Sequence, residues 1–79
     1  MGKDIRAIEL RKISPNLRTI YSTDCIEETA SDIRCRGQLE PILIFFENDS
    51  FRILDGEKRY RACKKLGMRR IQAVIAEVA

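Results

Sequence analysis

At 79 residues, with 44% hydrophobic and 34% charged side chains, the chain is long enough for one small core, and a unit this size buries only about 60% of its unfolded surface. That composition excludes a disordered chain, and the longest apolar run, residues 41–46, falls far below the ~18 residues of a membrane-spanning helix. The net charge of +3 is mild, but Lys58, Arg59, Arg61, Lys64, Lys65, Arg69 and Arg70 crowd one segment, which favours phosphate-bearing partners unless the run is simply a solvated face.

The N-terminus, MGKDIRAIEL, carries charges throughout, so it is no secretory signal, and Arg6 stands where myristoylation requires Ser or Thr. A cytoplasmic protein without membrane contact is expected. Residues 5–10 read as a strand, because β-branched isoleucines precede an Ile-Ser-Pro-Asn turn. From Asp24 an amphipathic helix begins, with Ile26, Ala30 and Ile33 at i, i+4 and i+7. Asp24 is placed to cap it with Glu27 three residues on, and Gly37 to end it. Residues 42–46, ILIFF, follow a proline and read as a buried strand. A four-residue Glu-Asn-Asp-Ser turn then leads back through residues 51–54 as a hairpin.

DGEKRYRACKKLG forms the second helix, ending at Gly67, and residues 71–78 supply a last strand. The order strand, helix, hairpin, helix, strand predicts an α+β fold, a small mixed sheet with two helices. Three cysteines, Cys25, Cys35 and Cys63, and no histidine fit neither a paired disulfide framework nor a zinc site. Reduced thiols are expected, with Cys63 in the core.

The start of the second helix concentrates the chemistry. At about 100° per residue, Tyr60, Ala62, Cys63 and Leu66 share one face, while Lys58, Arg61, Lys64 and Lys65 lie on or near the other. Arg59 breaks the pattern by pointing into the apolar stripe. Either its stem snorkels over the edge of the core or its head meets an anion. Asp55 can cap this helix, and Gly56 permits a conformation or a close approach that a Cβ forbids. The positive helix end with Lys58 and Arg59 beside it suits a phosphate. Glu57 would repel one unless a divalent cation bridges them or the carboxylate points elsewhere. The plain alternative is a capped helix with ordinary surface charges.

These residues resemble a family. Gly56, Glu57, Lys58, Arg59, Tyr60, Arg61 and Ala62 match a GERRxRA box with Lys58 in place of the first Arg. With ISPN before the first helix, GQLEPI after it, and KKLG then IQAVI downstream, nearly the whole chain resembles the N-terminal domain of ParB-type partition proteins, whose fold is shared with sulfiredoxin. The resemblance implies one domain over 1–79, cut from a longer protein whose helix-turn-helix region reads DNA. It implies a bound nucleoside triphosphate, CTP, with phosphates at Gly56, Glu57, Lys58 and Arg59. The base and ribose would lie near Gly37, Gln38 and Glu40. Mg2+ would accompany the nucleotide with ligands outside this chain, self-association would close a clamp around DNA, and Arg61, Lys64 and Lys65 would be free to touch DNA phosphates.

Within the same fold, sulfiredoxin places a catalytic Cys in the box where this chain has Gly56, Glu57, Lys58 and Arg59, so no thiol is in position to attack. A small-molecule kinase would need an acid or base beside the phosphates, and Glu57 could serve. An interaction module would use the basic helix without nucleotide chemistry. No catalytic residue and no metal ligand is assigned.

Overall fold

The computed structural model describes residues 4–15, 22–38 and 40–77. In chain order they form β1 (Ile5–Glu9), a 3-10 turn (Leu10–Lys12), β2 (Ile13–Ser14), α1 (Thr23–Arg36), β3 (Ile42–Glu47), β4 (Ser50–Asp55), α2 (Glu57–Lys65) and β5 (Arg70–Ile75). The five strands make one mixed sheet in the order β1-β5-β3-β4-β2. β1 runs antiparallel to β5 and β3 antiparallel to β4, whereas the β3–β5 and β2–β4 pairs are parallel. The expected α+β class with two helices on a mixed sheet is what forms. Asn16 and Leu39 of the two shorter motifs, and Val78 at the end of the last expected strand, lie outside the described residues.

Alternation builds the core. Ile42 and Ile44 of β3 and Ile71 and Ala73 of β5 point to the buried side, where they meet Ala30 and Ile33 of α1 and Tyr60, Ala62 and Cys63 of α2. Each fully buried isoleucine contributes about 1.5–3 kcal/mol of transfer free energy. The two helices pack on each other, and α2 also meets β3. Lys65 Nζ bridges to Glu27 Oε1 at 3.0 Å across that helix pair. Leu10 and Ile13 complete the core from the N-terminal segment, and the Tyr60 hydroxyl donates to the Ile13 carbonyl at 3.4 Å.

Several local expectations shift by a residue or two. Ser22, not Asp24, caps α1, its Oγ accepting from the Cys25 amide at 3.2 Å. Asp24 lies inside the first turn, where its charge suits the positive helix end, and Glu27 turns to Lys65 instead of back to the cap. The β3–β4 hairpin is tighter than a four-residue loop. Glu47 pairs with Ser50, and only Asn48 and Asp49 turn the chain, with φ of 51° and 63°, the left-handed pair of a type I′ turn. β2 was unforeseen, since two residues are too few to show an alternation. β5 starts at Arg70 and stops at Ile75, short of the expected end.

Candidate functional site

Asp55 does not cap α2. It is the last residue of β4, paired with Leu43, and the cap position belongs to Gly56, which has no side chain to bond the helix. Gly56 is required twice over. Its φ of 105° is left-handed, and a Cβ there would lie 2.5 Å from Ile42 Cγ2 and 2.9 Å from Ile42 Cβ. The start of α2 is thereby pressed against the start of β3, and the loop from α1 into β3 runs beside the helix end.

Two adjoining clefts result. One, about 310 Å³, is formed at the helix start by Asp55, Gly56, Glu57 and Lys58, together with Thr29 and Arg59. The other, about 260 Å³, is formed by Asp32 and Ile33 of α1 with Gly37, Gln38 and Glu40, again with Thr29 and Arg59. Thr29 and Arg59 belong to both, so the clefts form one groove with Arg59 at its middle. The two groups of residues singled out in the sequence, Gly56 to Arg59 and Gly37, Gln38 and Glu40, stand on one continuous surface.

Arg59 resolves its own pattern violation. Its side chain is 26% exposed, with the stem over the core edge and the head on acceptors. Nη1 donates to the Pro41 carbonyl at 2.7 Å and to the Glu40 carbonyl at 3.4 Å. Nη2 lies 3.6 Å from Glu40 Oε2. The guanidinium fastens the loop into β3 while facing the groove.

Glu57 is the one buried charged residue among those described, at 7% exposure. Its Oε2 accepts from Arg61 Nε at 3.0 Å, one turn along the helix. The carboxylate therefore points back along α2 toward a cation, and the repulsion expected at the helix start is relieved without a metal. Arg61 is correspondingly half-buried, not on a freely solvated face, and Lys65 is tied to Glu27. Lys64 is exposed.

Gln38 is held by the sheet. Its Oε1 accepts from the Gln72 amide at 2.8 Å, and its Nε2 donates to the Gln72 and Glu40 carbonyls, each at 2.9 Å. The side-chain amide thus extends the β5 ladder beyond Ile42, where β3 begins. Gly37 has a φ of 77° and donates to the Ile33 carbonyl at 2.7 Å, ending α1 as expected.

Two residues of the groove went unnoticed in the sequence, Thr29 and Asp32. Their spacing with Ile33, i, i+3 and i+4, puts them beside one another on α1, but nothing in the linear pattern says that this flank meets α2. Thr29 Oγ1 donates to the Cys25 carbonyl at 3.1 Å, and Asp32 pairs with Arg36 at 3.4 Å. Cys63 is fully buried, and burial pushes its thiol above the ordinary value of 9.0. No cluster of three or more metal-ligating side chains occurs among the described residues, and no helix among them is long and apolar enough to cross a membrane.

Known proteins share this fold. The nucleoid occlusion protein of Bacillus thuringiensis (strain Al Hakam) is 38% identical over 77 residues, a match covering 92% of this chain and 27% of that protein. The chain thus spans about a quarter of the length of the curated relatives it matches. Sulfiredoxin from Arabidopsis thaliana superposes with a TM-score of 0.85 at 26% identity, covering 95% of this chain and 86% of that one. The C-terminally truncated chromosome-partitioning protein ParB from Caulobacter crescentus, complexed with CTP-gamma-S, does so with a TM-score of 0.85 at 24% identity, covering 96% and 46%. A free serine kinase in complex with AMP gives 0.84 at 26% identity, covering 98% and 32%. The ParB N-terminal domain profile matches residues 1–79, and with it the chain belongs to the ParB N-terminal domain family.

Proposed function

We propose that this domain binds a nucleoside triphosphate, CTP, along the groove between α1 and the start of α2. The observation that carries this reading is the junction of the two clefts at Arg59 and Thr29. A triphosphate has its place at Gly56, Glu57, Lys58 and Arg59, where Lys58 and Arg59 flank the positive end of the helix. Glu57 contributes through its main chain, its carboxylate being turned to Arg61. The sugar and base then lie toward Gly37, Gln38 and Glu40, which line the adjoining cleft. Magnesium would arrive with the phosphates, its protein ligands coming from outside this chain. Support also comes from the CTP-gamma-S complex of the Caulobacter crescentus ParB, a relative in fold.

In the longer protein, nucleotide occupancy would promote self-association of these domains as part of a clamp on DNA, with sequence-specific contacts supplied by a downstream region. Among the α2 cations proposed to touch DNA phosphates, Lys64 is exposed, whereas Arg61 and Lys65 would exchange ion pairs to do so.

Thermal shift and calorimetry against CTP, ATP, GTP and UTP, with and without magnesium, test the reading. At 100 times its dissociation constant CTP stabilises the domain by about 2.7 kcal/mol. No shift with any nucleotide at millimolar concentration overturns it. The similarity to a free serine kinase bound to AMP favours a second reading, a kinase for a small hydroxyl substrate. Its base would be Asp32 or Glu40, which line the groove, and not the Arg61-bound Glu57. An ADP or AMP shift together with phosphoserine formation from serine would select it.

A further inference from the structure

The crowded cations of residues 58–70 do not share one surface. Arg69 and Arg70 follow α2 and open β5, where Arg70 pairs with Glu9 in the β1 ladder and the Arg69 carbonyl accepts from the Leu10 amide at 2.9 Å. The 3-10 turn that follows β1 brings Arg11 to the same place. These three arginines, with Glu9 and Met68, line an open cleft of about 920 Å³. None of them lines the groove at Arg59.

The cleft is positively charged in excess of its own carboxylate. Among the described residues Glu9 is its one acid, and Arg11 Nε bonds it. Arg11, by its hydrogen bond and its charge, holds the Glu9 carboxyl below its usual range against the opposing desolvation, with Lys12 and Arg70 adding less. Neither Arg69 nor Arg70 makes a salt bridge among the described residues. Their main chains, by contrast, are held by the ladder and by Leu10, so the guanidiniums project from a fixed frame.

We propose that this cleft is a second anion site, separate from the groove, and that it takes the sugar-phosphate backbone of duplex DNA. The cations line a wide open cleft instead of converging on one point, which suits successive phosphates better than a single one. Arginine is weakly hydrated and meets phosphate oxygens with two parallel hydrogen bonds. Met68, the one apolar side chain lining the cleft among the described residues, offers deoxyribose a contact but gives a peptide no pocket for successive side chains. Direct reading of bases has no counterpart here, so the binding is sequence-independent and falls with salt.

Fluorescence anisotropy of a short labelled duplex of arbitrary sequence, titrated with the domain over a range of salt, tests this. The logarithm of the affinity should fall against that of salt with a slope of about −2 to −3, roughly −0.9 per phosphate neutralised. Arg69→Gln/Arg70→Gln should make the slope shallower by about two, and Arg11→Gln, on a separate element, by about one. Arg34→Gln, an exposed α1 cation that lines neither the cleft nor the groove, should leave it unchanged, and all variants should keep the wild-type circular dichroism melt. A wild-type slope in both cleft variants, or an equal loss in Arg34→Gln, overturns the site. Binding of labelled polyglutamate as tight as that of the duplex, with the same response to the cleft variants, overturns DNA as its ligand and assigns an acidic protein surface.

Discussion

The Pro41 carbonyl lies 2.7 Å from Arg59 Nη1, so the cation at the middle of the groove also fastens the loop that forms its wall. Arg59 is therefore a structural residue as well as the one proposed to meet the nucleotide. Arg59→Ala should lower stability by about 2 kcal/mol, the range of a hydrogen bond from a charged donor, or roughly 8–16 °C in melting temperature for a domain this small. It should also remove the response to nucleotide. Arg59→Lys separates the two losses, since one ammonium can reach the Pro41 carbonyl without presenting a planar fork to phosphates. A Lys variant with near wild-type melting but no nucleotide shift, read by differential scanning fluorimetry, is the expected outcome.

The contact between Gly56 and Ile42 predicts a contrast between glycines. Gly56→Ala combines a left-handed backbone with an overlap against a β-branched side chain, and should cost about 2–4 kcal/mol in urea unfolding. Gly37→Ala meets open space, so only the backbone term applies, about 1–3 kcal/mol at a φ of 77° and ψ of 178°. Equal losses at both sites would mean that the overlap with Ile42 is relaxed easily.

Gln38 stands in for a missing strand residue beside Gln72. Gln38→Ala removes both acceptors and donors from that pairing, at a net cost of about 1 kcal/mol because water can replace them at an exposed edge. Amide hydrogen exchange read by NMR should show loss of protection at Gln72 ahead of global unfolding. Unchanged protection at Gln72 would mean that the side-chain amide does not hold the loop.

Cys63 and Cys35 should differ in reactivity. The exposed Cys35 should react with an alkylating reagent in the native state, while Cys63 reacts only after denaturation. Because burial raises the native Cys63 thiol above its ordinary 9.0, the folded state holds that proton more tightly than the unfolded one. Its contribution to stability is full below 9.0 and is lost as pH rises through the native value. Tyr60, raised by burial and then by the Glu57 charge, acts in the same direction at still higher pH. Urea midpoints that rise with pH in this alkaline range would contradict both shifts.

Local physics made much of this molecule legible. The α1 periodicity, the ILIFF strand, the apolar face of α2 and the Gly37 terminus each rest on contacts within a few residues, so they survive folding nearly unchanged. The same holds for Gly56, whose need was readable because a strand passed directly into a helix there. Boundaries were less secure: Ser22 and Gly56 took the cap positions from two aspartates, since a cap depends on where the first helical dihedral falls and not on which side chain could bond.

Partnership across the sequence was decided elsewhere. That Arg59 would find the carbonyls at Glu40 and Pro41 and that Gln38 would lie along Gln72 follow from the order in which the strands pair, whereas Glu57 and Arg61 are an i, i+4 pair of one helix of which only the burial is tertiary. The single basic run divides for the same reason. Lys58 and Arg59 stay with the groove, while β5 carries Arg69 and Arg70 to the end of β1 and to Arg11. By itself the sequence determined which residues were charged, apolar or turn-forming and how they were phased along each element. Only the tertiary structure decided which of those charges meet, because burial and neighbouring strands choose partners that no local period encodes.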